Sequence, residues 1–226
     1  MLAVRRVTPA IARSCLSLST VVHNNVSAAM NTHHNRELTQ YEKDIISPMI
    51  RVDQSGEVGA YYIYKGQIAV LGDDPKLRPL LEMMWDQEKH HLELFSDLVG
   101  EHRVRPSLLR PLWEVAGFAV GAGTALLGKE AAMACTEAVE TVIGDHYNEQ
   151  LRELHELKNP SQQLEYLSKA RKKKKCTCTV ASCRDDELEH HDIAVDHNAR
   201  QAPFHSLLSA VIKQGCKSAI WVAARI

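Results

Sequence analysis

"DDELEHHDIAVDH", residues 185–197, carries seven carboxylates or imidazoles in its first eight residues and then turns apolar through Ile193, Ala194 and Val195. A solvated charge run does not become apolar within one helical turn while holding three histidines, so part of this segment is aimed inward. Glu187 and His190 within it are spaced E-x-x-H, and residues three apart on a helix share a face. The same spacing recurs at Glu88 and His91, set among the apolar Leu81, Met84 and Phe95.

Each E-x-x-H follows another recurring pattern. Glu57, Tyr64 and Gln67 are spaced E-x6-Y-x2-Q, and so are Glu140, Tyr147 and Gln150. The chain therefore reads E, ExxH, E, ExxH, an internal repeat. Helices that bring four glutamates and two histidines to one interior bury four negative charges, which is prohibitively unfavourable without cations among them. Two divalent ions cancel the charge, and one Glu from each of two helices with Glu-x-x-His from each of two others is a known dimetal pattern of helix bundles. Hard oxygen with imidazole suits iron or manganese better than a metal preferring thiolate. Neither copy extends to H-E-x-x-H, which disfavours a zinc protease. Glu137, one turn before Glu140, is a competing ligand. Tyr147 has two readings, a core phenol or a participant in electron or proton transfer.

Gly and Pro divide the chain into long segments of helical period with almost no alternating strand pattern, so the fold class is all-α. Helices are expected over roughly 48–70, opened by Pro48; over 74–99, with Asp74 as N-cap and Gly100 as stop; over 129–158; from Pro160 towards Pro203; and over 204–224. Glu57 and Glu88 are 31 residues apart but Glu140 and Glu187 are 47 apart, and the excess includes "KKKKCTCTVAS", residues 172–182. This β-branched, Cys-rich insert is a poor helix former and predicts a bulge or loop within the fourth helix. A tilt there would take Glu187 and His190 out of register. The Gly-rich apolar stretch Leu112–Gly128 reads either as tightly packed core or as a passage for a greasy substrate.

Composition narrows the function. Residues 1–36 hold four arginines and no acid and are rich in Ser and Thr, the composition of an organelle-targeting presequence expected to be disordered, leaving residues 37–226 as one helical domain. That domain has 23 basic against 28 acidic residues, which argues against nucleic-acid binding. Six scattered cysteines fit a reducing compartment rather than a disulfide scaffold. No window reaches the ~18 unbroken apolar residues of a spanning helix. "GTALLGKE" falls short of a phosphate-binding loop, with Glu130 where Ser or Thr would hold magnesium, and Cys176 and Cys178 in an exposed insert carry no metal reading.

Four stretches, "RVDQSGEVGA", "MWDQEKHHLELF", "RVRPSLLRPLWEVAGFAVGAGTALLGKEAAMACTEAVE" and "CRDDELEHHDIAVDH", resemble the mitochondrial demethoxyubiquinone hydroxylases. The resemblance covers nearly everything from residue 48 onward. It departs at Gln54, Ser55 and His90 and at the insert. It implies a ferritin-like four-helix bundle with additional apolar, membrane-interfacial helices, and a centre of two Fe ions held by Glu57, Glu88, His91, Glu140, Glu187 and His190. It further implies oxygen-dependent hydroxylation of a demethoxyubiquinol-type polyprenyl benzoquinone, NADH as electron source, the matrix face of the mitochondrial inner membrane, and a lipid-binding partner among other ubiquinone-biosynthesis proteins. A homo-oligomer is compatible with it. Asp53, Asp192 and Asp196 are candidates to orient the ligating histidines. An iron-storage or peroxide-scavenging protein would use the same six ligands, but the apolar Leu112–Gly128 segment is foreign to a hydrophilic shell. A non-catalytic lipid-binding or scaffold isoform, disabled by the insert, is the second alternative.

Overall fold

The computed structural model describes residues 37–158, 161–168 and 180–226. The expected presequence, residues 1–36, and residues 172–179 of the insert lie outside them. Every regular element among the described residues is helical: α1 (Gln40–Leu71), α2 (Arg78–Glu101), α3 (Arg110–Leu126), α4 (Lys129–Glu156), α5 (Gln162–Ser168), α6 (Val180–Asp196), one 3-10 turn (Ala199–Gln201) and α7 (His205–Ala223).

The start of α1 corrects the expectation at Pro48. Thr39 caps the helix through its hydroxyl, which accepts from the Glu42 N–H at 3.3 Å, while the Glu42 carboxylate accepts from the Thr39 N–H at 2.8 Å. This capping box satisfies two end donors together and opens the helix two turns earlier than Pro48, which is carried inside it. Asp74 caps a turn rather than α2 itself. Its side chain accepts from the N–H groups of Lys76 and Leu77, and α2 begins one turn later with proline in its first turn.

Each helix buries one stripe at spacings of three and four. On α2 the stripe is Leu81, Met84, Glu88, His91, Phe95 and Leu98; on α6 it runs through Cys183, Glu187, His190 and Ala194. The charged pair thus sits mid-stripe with apolar residues on either side. One apolar cluster, including Ile46, Ile50, Phe95, Leu151 and Leu164, closes one end of the bundle. A second, including Leu81, Met84, Met133 and Ala194, closes the other. Central helix α4 is buried all round from Ala131 to Glu140, which its small alanines permit.

The repeat governs the packing. α1 and α2 form the first half and α4 and α6 the second; the apolar α3 lies along α1, and the apolar α7 along α4. Contact between α1 and α3 is backbone to backbone. A methyl group at Gly117 would meet the Gly59 carbonyl at 2.6 Å, and one at Gly121 would overlap the Ile63 carbonyl. The outer face of α3, with Leu112, Val115, Phe118 and Leu126, is exposed. The helix is thus two-faced, with Gly117 and Gly121 inward and large apolar side chains outward. No described helix is long and apolar enough to cross a membrane.

Gly121→Ala is expected to cost about 1–3 kcal/mol by pushing α3 off α1. Gly123→Ala, where an added methyl meets nothing within 4 Å, should be neutral or stabilising by about 0.5–1 kcal/mol. Urea unfolding of the two variants checks the contrast.

Candidate metal centre

The six residues singled out by spacing meet at the centre of the bundle. Glu57 on α1, Glu88 and His91 on α2, Glu140 on α4, and Glu187 and His190 on α6 are all buried; Glu88 and His190 are 0 % exposed. They form two overlapping quartets, Glu57, Glu88, His91 and Glu187, and Glu88, Glu140, Glu187 and His190, in each of which one ligand atom per residue lies within 4.8 Å of the others. Glu88 and Glu187 belong to both quartets.

The donor set fits metal. Both carboxylate oxygens of Glu88, one each of Glu57 and Glu187, and Nδ1 of His190 are buried without a hydrogen-bond partner. Orphaned buried polar atoms are rare in folded proteins and cost about 1–3 kcal/mol each. His190 Nδ1 stands 3.1 Å from Glu88 Oε1 and 3.4 Å from Glu187 Oε2 without hydrogen-bond alignment, as expected where lone pairs converge on a common point.

Each half of the repeat orients the ligands of the other. Tyr147, on α4, donates to Glu57 Oε1 at 2.5 Å, and Tyr64, on α1, donates to Glu140 Oε1 at 3.1 Å. The outer nitrogen Nε2 of His91 meets Asp186 Oδ2 at 3.0 Å, and that of His190 meets Gln87 Oε1 at 2.9 Å. Both acceptors occupy the position just before the Glu of the opposite ExxH. A histidine that donates from Nε2 to such an acceptor presents Nδ1 as its ligating lone pair.

Several expectations change here. Asp53 bonds Gln150 rather than a ligating histidine, Asp192 pairs with its neighbour His191 at the surface, and Asp196 is exposed. The residues that do hold the histidines, Asp186 and Gln87, were legible only as a polar residue at the same place in both repeats. Glu137 does not compete for the centre. It faces α7, where His205 Nε2 approaches its carboxylate at 2.7 Å and Arg200 lies 3.7 Å away. The feared loss of register does not occur, because Val180–Ser182, the end of the insert, already form the first turn of α6, with Val180 and Ala181 buried.

Burial raises the carboxyls of Glu57 and Glu140 well above the usual carboxylate range, with neighbouring carboxylates adding to the effect. Burial would also raise Glu187, but the His190 and His91 imidazoles outweigh it and bring it down to about 2. Burial would lower His190, but Glu187 and Glu88 outweigh it and hold it up at about 11.

Fold and cluster define a class, an all-helical protein with a buried carboxylate and imidazole centre suited to a metal pair. A sequence model described as "Ubiquinone biosynthesis protein COQ7" matches residues 44–223, and the chain belongs to that family. It is 48% identical over 189 residues to the "NADPH-dependent 3-demethoxyubiquinone 3-hydroxylase, mitochondrial" of Homo sapiens, covering 84% of this chain and 82% of the relative. It is 47% identical over 201 residues to the "5-demethoxyubiquinone hydroxylase, mitochondrial" of Saccharomyces cerevisiae, covering 84% and 82%. Similarity to the "3-demethoxyubiquinol 3-hydroxylase" of Rhodospirillum rubrum is 47% over 182 residues, covering 80% and 79%.

Asp186→Ala and Gln87→Ala are each expected to weaken metal affinity ~10–100-fold while the bundle stays folded; titration against a competing chelator measures this. Ligation requires carboxylates and imidazole stripped of protons, and Glu57, Glu140 and His190 all hold theirs more tightly than usual. Metal binding should therefore release protons and tighten as pH rises from 5 to 8; calorimetry in buffers of different ionisation enthalpy counts the protons.

Proposed function

We infer that this chain is a demethoxyubiquinone hydroxylase of ubiquinone biosynthesis, an oxygen-dependent monooxygenase whose centre takes two iron ions in a ferritin-like bundle. The observation that carries the reading is the pair of overlapping quartets together with a cavity that reaches them. About 370 Å³ in volume and almost wholly apolar, the cavity lies between α1, α3, α4 and α7 and is bounded near the cluster by Glu57 and Tyr147. A polyprenyl benzoquinol is apolar along its tail and reactive at its ring, and this space accepts such a shape with the ring at the carboxylate end.

In this reading Glu57 and His91 would help hold one ion, Glu140 and His190 the other, with Glu88 and Glu187, common to both quartets, serving each. Iron, when bound, supplies the redox chemistry that activates dioxygen for insertion into a ring C–H bond. The protein's share is binding and exclusion. The ends of the bundle close the centre to water, Tyr147 and Tyr64 hold the terminal glutamates, and the cavity wall aligns the ring. Tyr147 both donates to Glu57 and borders the cavity, which supports a part for its hydroxyl in electron or proton transfer. Reducing equivalents come from a reduced nicotinamide. The mammalian relatives' names specify NADPH rather than the NADH expected from the resemblance.

The outer faces of α3 and α7 extend the reading to location. Leu112, Val115 and Leu126 on α3 and Leu207, Val211 and Trp221 on α7 are exposed, as is Phe204 at the start of α7, 84 % exposed and in the left-handed backbone region. Two apolar helices flanking an apolar cavity suit a protein lying on a bilayer and drawing its substrate from it. The relatives' mitochondrial names and the Arg-rich leader favour the inner membrane, on its matrix side. A second copy or a lipid-binding partner from the same pathway would compete for these faces. The scaffold alternative loses its premise, since α6 keeps Glu187 and His190 in register.

Purified protein should carry about two irons per chain and convert a short-tailed demethoxyubiquinol to its hydroxylated product with oxygen consumption. Glu140→Ala should lose one or both irons and turnover together. Intact iron loading in that variant, or a wild-type protein that neither loads iron nor turns over the quinol, would overturn the reading.

A further inference from the structure

The acidic and imidazole side chains of the cavity wall gather at one place beside the cluster. There Asp53, one turn before Glu57 on α1, and His146, adjacent to Tyr147 on α4, both line the space. Gln150 holds the two together. Its Nε2 donates to Asp53 Oδ1 at 2.6 Å and lies 2.9 Å from His146 Nε2, while the Asp53 and His146 atoms stand 3.8 Å apart. Donation from Gln150 makes His146 Nε2 the acceptor, which leaves Nδ1–H as the imidazole's remaining donor.

Folding does not require an acid and an imidazole at these positions. The matching positions of the repeat supply the control: the residue four before Glu140 is Thr136, and the residue before Tyr64 is Ile63. Gln67, the counterpart of Gln150, bonds Thr136 Oγ1 at 3.3 Å and the Ala132 carbonyl at 3.1 Å. One matched set, Thr136, Ile63 and Gln67, is thus completed with neutral residues, and the other, Asp53, His146 and Gln150, puts Asp and His on the cavity wall. Burying an aspartate without a cationic partner is unfavourable, so its presence in a greasy pocket calls for an occupant that gains from it. Burial pushes the Asp53 carboxyl up to about 8 and lowers the His146 imidazole, so near neutrality both are uncharged and offer hydrogen bonds without a net charge in the cavity.

We propose that Asp53 and His146 form the polar seat for the oxygen substituents of the substrate ring, with Gln150 as the positioning residue that fixes both. The ring is held through its two para oxygens, and its unsubstituted carbon is turned towards the cluster. This rests on the hydroxylase reading above, and it locates specificity for a quinol over an equally greasy aromatic in two side chains outside the six ligands.

The test uses the iron-loaded full chain under anaerobic conditions and equilibrium calorimetry with two probes, a tail-less methoxy-methyl-1,4-hydroquinone and its di-O-methyl ether. Asp53→Thr and His146→Ile install the residues that stand at the matching positions of the repeat, Thr136 and Ile63. Wild-type protein should bind the hydroquinone at least ~10-fold more tightly than the diether, the order expected for one or two buried hydrogen bonds. Each variant should lose that preference while its diether affinity and iron content stay unchanged. Preference retained in both variants, or equal loss of affinity for both probes, overturns the proposal. Wild-type protein that binds neither probe overturns the hydroxylase reading and the seat with it.

Discussion

Mutual repulsion among four buried glutamates is the constraint on which the molecule is built. Four carboxylates in one dry interior cannot all be ionised unless positive charge stands among them. Burial and neighbouring carboxylates raise the Glu57 and Glu140 carboxyls, and Glu187 and Glu88 hold the His190 imidazole up. Two divalent cations would supply the positive charge with fixed geometry. Orphaned oxygens on Glu57, Glu88 and Glu187 mark where hydrogen bonding alone leaves the balance incomplete.

The cross-bracing explains how ligands from four helices stay in place. Tyr147 reaches from the second half to Glu57, Tyr64 from the first half to Glu140, and the ExxH histidines are held by Asp186 and Gln87, each from the opposite half. No half can set its own ligands without the other. This reciprocity also explains why an insert before α6 is tolerated. The position of Glu187 and His190 is set by contacts across the bundle, and not by the length of chain that leads to them.

Departure from symmetry is where function enters. The two apolar helices α3 and α7 occupy matching places in the repeat, and between them lies the cavity, whose wall carries Asp53 and His146 although the matching positions of the repeat are Thr136 and Ile63. The duplicated scaffold holds the six clustered residues evenly, and the cavity reaches them from one side.

The all-helical class, the six clustered residues and the two-part repeat were legible in sequence because a helix repeats every 3.6 residues, so spacings of three, four and seven report a shared face directly. Thr39 and Glu42 announced the start of α1 just as locally, and Pro48 obscured it. What lay beyond sequence was every relation between helices. That Asp186 rather than Asp192 holds a histidine, that Glu137 turns to His205, that Gly121 seats α3 on α1, and that Asp53 and His146 share a wall of one cavity all depend on which faces meet. Spacing along one helix fixes a direction around its axis, whereas the partner in that direction is chosen by packing among helices distant in the chain.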